Sequence, residues 1–266
     1  MGSQIAAFFD VDNTLIRGAS AYYLARELYR RDFFSARDIV FAARQATLYN
    51  LFGEDLDRVN QVRERALQAI RGHAVAEVIS IGEEVYAEVL QPRIMAGTQA
   101  ILQEHLHAGH EVWLVTATPQ EISDHIAAHL GATGSLGTRA EHVDGIYTGR
   151  LSAPFLHGPA KAEAASALAA ERGLDLAACY AYGDSFNDVH ILGSVGHPVA
   201  INPERHLRRH AQAQGWEIMD FDSPASRRYR QRLVGDKPGR KRRLASVAGA
   251  VWVAGVVWRS LRSRRS

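Results

Sequence analysis

The sequence predicts an α/β fold: a parallel sheet with helices on both faces, a helical cap inserted after the first strand, and a hydrophobic helix at the C-terminus. Three observations predict it. Short apolar runs alternate with helical patterns of about a dozen residues, one long helical stretch interrupts that alternation, and an uncharged apolar segment lies near the end of the chain.

The first run, Ile5 to Phe9, ends directly on Asp10, as a buried strand that delivers a carboxylate at its C-terminal end would do. From about residue 20 to 91 no strand-like run occurs. The segments SAYYLARELYRR, ARDIVFAARQATLYNLF and LDRVNQVRERALQAI space their apolar residues by three and four, which predicts a helical cap over 20–91. Further strands are expected at Val112 to Val115, ending on Thr116, at Cys179 to Tyr182, ending on Gly183 and Asp184, and near Pro198 to Ile201. Helices are expected at Thr98 to His107, Gln120 to Leu130 and Pro159 to Arg172, each opening after Gly, Pro or Thr, the first two stopping at Gly109 and Gly131. The Asp144-Gly145 pair between short apolar flanks predicts a hairpin. The core is thus expected over 1–19 and 92–225, a basic linker over 226–243 and a hydrophobic and basic tail over 244–266.

Composition narrows the function. A chain of 266 residues with 47% hydrophobic and 23% charged residues excludes disorder, collagen and a multi-span membrane protein for its bulk. Cys179 has no partner for an internal disulfide, and the first residues lack the basic start of a secretory leader, so a cytoplasmic location is expected. Residues 1–224 hold 18 Lys and Arg against 28 Asp and Glu, whereas residues 225–266 hold 13 against one. An acidic body makes a poor nucleic-acid binder, because that affinity comes from neutralising phosphates with basic side chains. Attraction to polyanions belongs to the tail. There Leu244 to Trp258 carries no charge and is bracketed by arginines, so attachment to an anionic membrane is expected of it, with a core-docked or frayed helix as the alternative.

Three clusters carry chemistry. Asp10-Val-Asp12 at the end of the first strand puts two carboxylates on one turn, where one attacks an electrophile and the other handles a proton, although such a pair is also an ordinary solvated turn. Gly183-Asp184-Ser-Phe-Asn187-Asp188 repeats the pattern after another apolar run, and there the alternative is plain helix capping. Four carboxylates at neighbouring strand ends call for a cation, and carboxylate oxygens suit Mg²⁺. Lys161 is the only lysine before the tail of a chain with 28 arginines, a compact charge suited to phosphate beside a carboxylate, or else a surface lysine opening a helix. The histidines, among them His105, His107, His110, His125 and His129, lie on crossover helices without convincing zinc spacing.

Taken in order, DxDxT, a strand ending in Thr, a lone Lys and GDxxND, the sequence resembles the haloacid dehalogenase superfamily over residues 5 to about 220. It is most similar to subfamily IB, the phosphoserine-phosphatase-like subgroup with a Rossmann-like core and a helical cap after the first strand. The resemblance implies that Asp10 is a nucleophile forming an aspartyl-phosphate and that Asp12 is the general acid and base. It implies that Thr116, Lys161 and Asn187 hold the phosphoryl group. Asp184 would bind Mg²⁺ with Asp10 and the Asp12 carbonyl, with Asp188 and Gly183 in support. The expected function is a Mg²⁺-dependent phosphomonoesterase. Its expected substrate, if the tail meets lipid, is a phospholipid head-group phosphate such as that of phosphatidylglycerophosphate; the alternatives are a soluble small-metabolite phosphatase and a non-catalytic membrane-associated scaffold. One departure bears on the substrate. The subgroup's glutamate that meets the phosphoserine ammonium falls at Ala19, which disfavours phosphoserine and leaves Arg63, Arg65 or Arg71 of the cap to meet a second anionic group.

Overall fold

The computed structural model describes residues 4–31, 33 and 56–221. Strand β1 (Ala6–Phe9) is followed by α1 (Ser20–Arg30), α2 (Leu56–Ile70), α3 (Val75–Val85) and α4 (Ala96–His107). Then come β2 (Glu111–Pro119), α5 (Gln120–Leu130), β3 (Gly134–Thr138), the hairpin β4 (Ala140–Val143) and β5 (Ile146–Leu151), and α6 (Pro159–Arg172). The chain continues through β6 (Tyr180–Gly183), the single turn α7 (Val189–Leu192), β7 (His197–Ile201), α8 (Arg205–Gln214) and β8 (Glu217–Met219). Six strands form one sheet in the order β3-β2-β1-β6-β7-β8, every neighbouring pair parallel.

All four residues of β1 are buried, because the central strand is covered on both faces. Alternation splits the strand between two cores. Ala7 and Phe9 join Leu114, Tyr182 and Ile201 against α1, α3 and α5, through Leu24, Leu28, Ile81 and Ile126. Ala6 and Phe8 face the other way with Val115 and Ala200, packing on Ala165 and Ala169 of α6 and Leu207 of α8. The cap therefore shares a core with one face of the sheet.

Helix α5 stops at Gly131 with φ 72°, and α6 opens on Pro159 and stops at Gly173 with φ 68°. The hairpin turns through Asp144 (φ 49°) and Gly145 (φ 75°), the double left-handed step that two-residue hairpin loops require. Its backbone is sewn to the α2–α3 corner: Gly72 N–H donates to the Tyr147 carbonyl at 2.9 Å, Tyr147 N–H to the His73 carbonyl at 3.0 Å, and Val75 N–H to the Gly145 carbonyl at 2.8 Å.

Three elements depart from the sequence expectation. β3 is the glycine-rich GSLGT and β8 is only three residues long, both too poor in apolar residues to register as strands. α8, RHLRRHAQAQ, buries only Leu207 and Ala211, so its sequence has little apolar face to read. The expected hydrophobic C-terminal helix is corrected. The described architecture closes on β8, residues 244–258 lie outside the described residues, and among the described residues no helix is long and apolar enough to cross a membrane. The second stretch of expected cap helix, 36–52, also lies outside them.

Candidate active site

The ends of β2, β1 and β6 lie side by side, and the register puts Phe9 opposite Leu114 on one flank and Tyr182 on the other. The next residue, Asp10, donates its N–H to the Tyr182 carbonyl at 2.9 Å, so the pairing carries the carboxylate just past the sheet edge. Thr116 and Asp184, each two residues beyond its register partner, flank it. The chain then turns sharply. Leu15 and Ile16 donate to the Val11 carbonyl at 3.0 and 2.9 Å, and Asn13 takes φ 60°, a left-handed conformation that asparagine tolerates.

Lys161 reaches this point from the first turn of α6. The chain enters that helix through Gly158 at φ 56° and ψ −125°, a conformation open to glycine and strained for other residues. The Lys161 side chain is almost fully buried, and Nζ donates to Asp10 Oδ1 at 2.6 Å and Asp188 Oδ1 at 2.7 Å. Asp188 is fixed from its other oxygen, where Oδ2 accepts from the Ser185 N–H at 3.2 Å and hydroxyl at 3.0 Å. Gly183 makes room for this, since a Cβ there would stand 2.6 Å from the Asp188 Cβ. Asn187 is half-buried in the single turn between Asp184 and Asp188.

Asp10, Asp184 and Asp188 bring carboxylate oxygens within 4.8 Å of one another, the only such group of three metal-capable side chains among the described residues. Asp12 stands apart from that trio: its Oδ1 accepts the Ser20 N–H at 2.8 Å. Thr116 is buried, its hydroxyl donating to Thr118 Oγ1 at 3.0 Å and accepting the Thr118 N–H at 3.2 Å. Thr118 Oγ1 in turn lies 2.6 Å from the Ser20 hydroxyl. Ser20 and Thr118 escaped the sequence reading. Thr118 carried a faint signal as the second threonine of TAT; Ser20 carried none, because its contact partner is 98 residues away.

His105, His125 and His129 serve packing. His105 bonds Tyr182 Oη through Nε2 at 2.8 Å, while His125 and His129 both lie against the Tyr86 ring. In the cap, Arg63 lies with its guanidinium 5.6 Å from the Phe155 ring centroid, and the Arg71 stem packs on Gly149.

One lysine does not balance these carboxylates. Burial pushes Asp10 up to about 7, against the opposing pull of Lys161 and with Asp188 and Asp12 adding to the rise. Asp184 is pushed up to about 9, first by burial and then by the charges of Asp10 and Asp188. Asp12 is raised by burial, with Ser20 resisting. Burial alone would push Lys161 down, but the two carboxylates outweigh it and hold it charged. The donor set is all carboxylate oxygen and short of positive charge, which fits a hard divalent cation. Stability should follow. Asp10 and Asp184 bind protons more tightly folded than unfolded, so folding without metal takes up protons, and stability is lost as pH rises from about 4 through their folded values of about 7 and about 9. Thermal midpoints in EDTA should fall from about pH 5 to about pH 9, and added Mg²⁺ should raise the midpoint most at the alkaline end. A midpoint in EDTA that climbs over this range would contradict the charge imbalance.

The haloacid dehalogenase-like hydrolases match this chain over residues 7–193, a span that holds every one of these carboxylates and Lys161. The chain belongs to that family. Phosphoserine phosphatase SerB1 of Mycobacterium tuberculosis is 50% identical over 217 residues, covering 81% of this chain and 70% of that protein. A histidinol-phosphatase of Neisseria meningitidis is 29% identical over 220 residues, 81% of this chain and 98% of that one. Among solved structures, a Bordetella pertussis protein of unknown function superposes with a TM-score of 0.74 at 31% identity, covering 82% of this chain and 99% of its own. This member of the family is closely related to its phosphoserine-phosphatase-like subfamily and is a phosphatase of the haloacid dehalogenase type.

Proposed function

We propose that the chain is a Mg²⁺-dependent phosphomonoesterase of small metabolites that works through an aspartyl-phosphate on Asp10. The observation that carries this reading is Lys161 Nζ held between Asp10 and Asp188, with Asp184 completing the acidic trio. Lys161 engages one Asp10 oxygen, leaving the other to attack phosphorus as the ester P–O bond breaks. Asp12, raised by burial, holds a proton to give the departing alkoxide. It then takes a proton from water, whose oxygen attacks the phosphorus of the acyl phosphate, releasing phosphate and restoring the Asp10 carboxylate. Lys161 would hold a phosphoryl oxygen, and Thr116 would join it by turning its hydroxyl proton from Thr118 to the substrate, while Asn187 lies on the turn between Asp184 and Asp188. Asp10 and Asp184, with the Asp12 carbonyl, would hold Mg²⁺. Bound there, the ion supplies positive charge that keeps the carboxylates ionised and offsets charge on the phosphoryl oxygens.

The relatives' names favour a small phosphate ester, phosphoserine and histidinol phosphate being the two to try first. Ala19 weighs against phosphoserine. It is exposed at the start of α1, where a methyl gives an ammonium no counter-charge. No described residue favours a phospholipid. Phosphate release should be measured on phosphoserine, histidinol phosphate, glycerol phosphate and phosphatidylglycerophosphate, with Mg²⁺ or EDTA. A soluble ester should be cleaved best and only with the metal; preference for the lipid, or full turnover in EDTA, would overturn the reading.

A further inference from the structure

We propose that Ser20, the first residue of the cap helix α1, is a positioning residue that holds the Asp12 carboxylate with its backbone amide and ties that helix end to β2 through its hydroxyl. The inference rests on the phosphatase reading above, since it assigns Asp12 the proton-transfer role. Ser20 is 1% exposed, so water does not compete for either group.

The amide is available because of where it lies. The first N–H groups of a helix have no partner within it, and in α1 that of Ser20 goes to Asp12 Oδ1 at 2.8 Å. The positive end of the helix thus faces the carboxylate. Ala19 immediately before is extended (φ −92°, ψ 115°) and its side chain makes no cap, leaving the direction of the Ser20 amide to the contacts of Ser20 itself.

The hydroxyls fix that direction, and each has one proton to give. Thr116 gives its proton to Thr118 at 3.0 Å. Thr118 Oγ1 and the Ser20 hydroxyl share a second bond at 2.6 Å, in which either oxygen can donate. The Ser20 hydroxyl is thereby pinned to β2, and with it the amide that meets Asp12 Oδ1. A row of hydroxyls from Thr116 through Thr118 to Ser20 therefore joins the end of β2 to the residue whose amide holds Asp12. It passes through the cap, so the proton-transfer carboxylate is set only when α1 is seated on β2.

Two substitutions separate the groups. Ser20→Ala removes the hydroxyl and keeps the amide. Ser20→Pro removes both, and proline is accepted at the first position of a helix after an extended residue, so the backbone is preserved. For Ser20→Ala we expect kcat to fall about three- to tenfold, the worth of one hydrogen bond. For Ser20→Pro the fall should reach about a hundredfold, since a misplaced acid forfeits much of its contribution. In both variants the inhibition constant of inorganic phosphate should stay within about twofold of the parent value, because Asp12 acts on the leaving group rather than on the bound phosphoryl oxygens. A merely structural role would weaken phosphate binding and lower the melting temperature along with kcat. Ser20→Thr, which keeps both donors, should recover most of the kcat lost in Ser20→Ala. Asp10→Asn runs beside them: if it still turns over, the aspartyl-phosphate reading fails and this inference with it. If Asp10→Asn is inactive, parental kcat in Ser20→Ala, Ser20→Pro no slower than Ser20→Ala, or a rise in the phosphate inhibition constant that matches the loss of kcat each overturns the role given to Ser20.

Discussion

Asp10→Asn removes phosphate release by about ten-thousand-fold or more while leaving the protein folded, and in EDTA at alkaline pH it melts higher than the parent. Both halves follow from the same burial. The carboxylate is 8% exposed and is pushed up to about 7, so holding it ionised above that pH costs stability that a neutral amide does not. The amide oxygen can still accept from Lys161 Nζ, now 2.6 Å from Oδ1, so the lysine keeps two partners. Loss of activity with a gain in alkaline stability distinguishes a removed nucleophile from a damaged fold. Turnover that survives the substitution would sink the aspartyl-phosphate route.

Lys161→Met acts in the opposite sense. It takes the buried ammonium away from Asp10 and Asp188 and leaves their charges uncompensated, a loss of about 3–5 kcal/mol for a broken buried pair. Activity should fall with it by about a thousandfold, since Lys161 is the one cationic side chain placed on Asp10 among the described residues. The destabilisation should grow as pH rises through about 7 and about 9, where Asp10 and then Asp184 would shed their protons, and Mg²⁺ should restore part of it. Lys161→Arg should not rescue activity, because a planar guanidinium is wider than the ammonium that fits between two carboxylates. Urea titrations in EDTA at three pH values, with phosphate-release assays, check these points; equal stability of parent and Lys161→Met across them would refute the pairing argument.

The carboxylates were legible in the sequence because each follows an apolar run that ends a strand, and parallel strands bring such ends together. Asp10 and Asp184 sit on neighbouring strands, as that rule requires. Lys161 was legible by scarcity, and Gly183 by its place in the motif, although the sequence does not show that a Cβ there would meet Asp188. Other features had no local signature. The Asp12 carboxylate turns away from the acidic trio toward Ser20 because a helix amide offers it a partner, and the pairing of Ser20 with Thr118 is a long-range contact. β8 and α8 were missed since so few of their residues reach the core, whereas Gly131 and Pro159 marked helix ends through backbone geometry alone.

The bonds from Gly72, Tyr147 and Val75 give the cap a fixed corner at the hairpin. The Ser20–Thr118 contact ties it a second time, at the start of α1, so no single point remains about which it can turn. A cap riveted at two places, one of them on an offshoot of the main sheet, has to release one of them before it can swing.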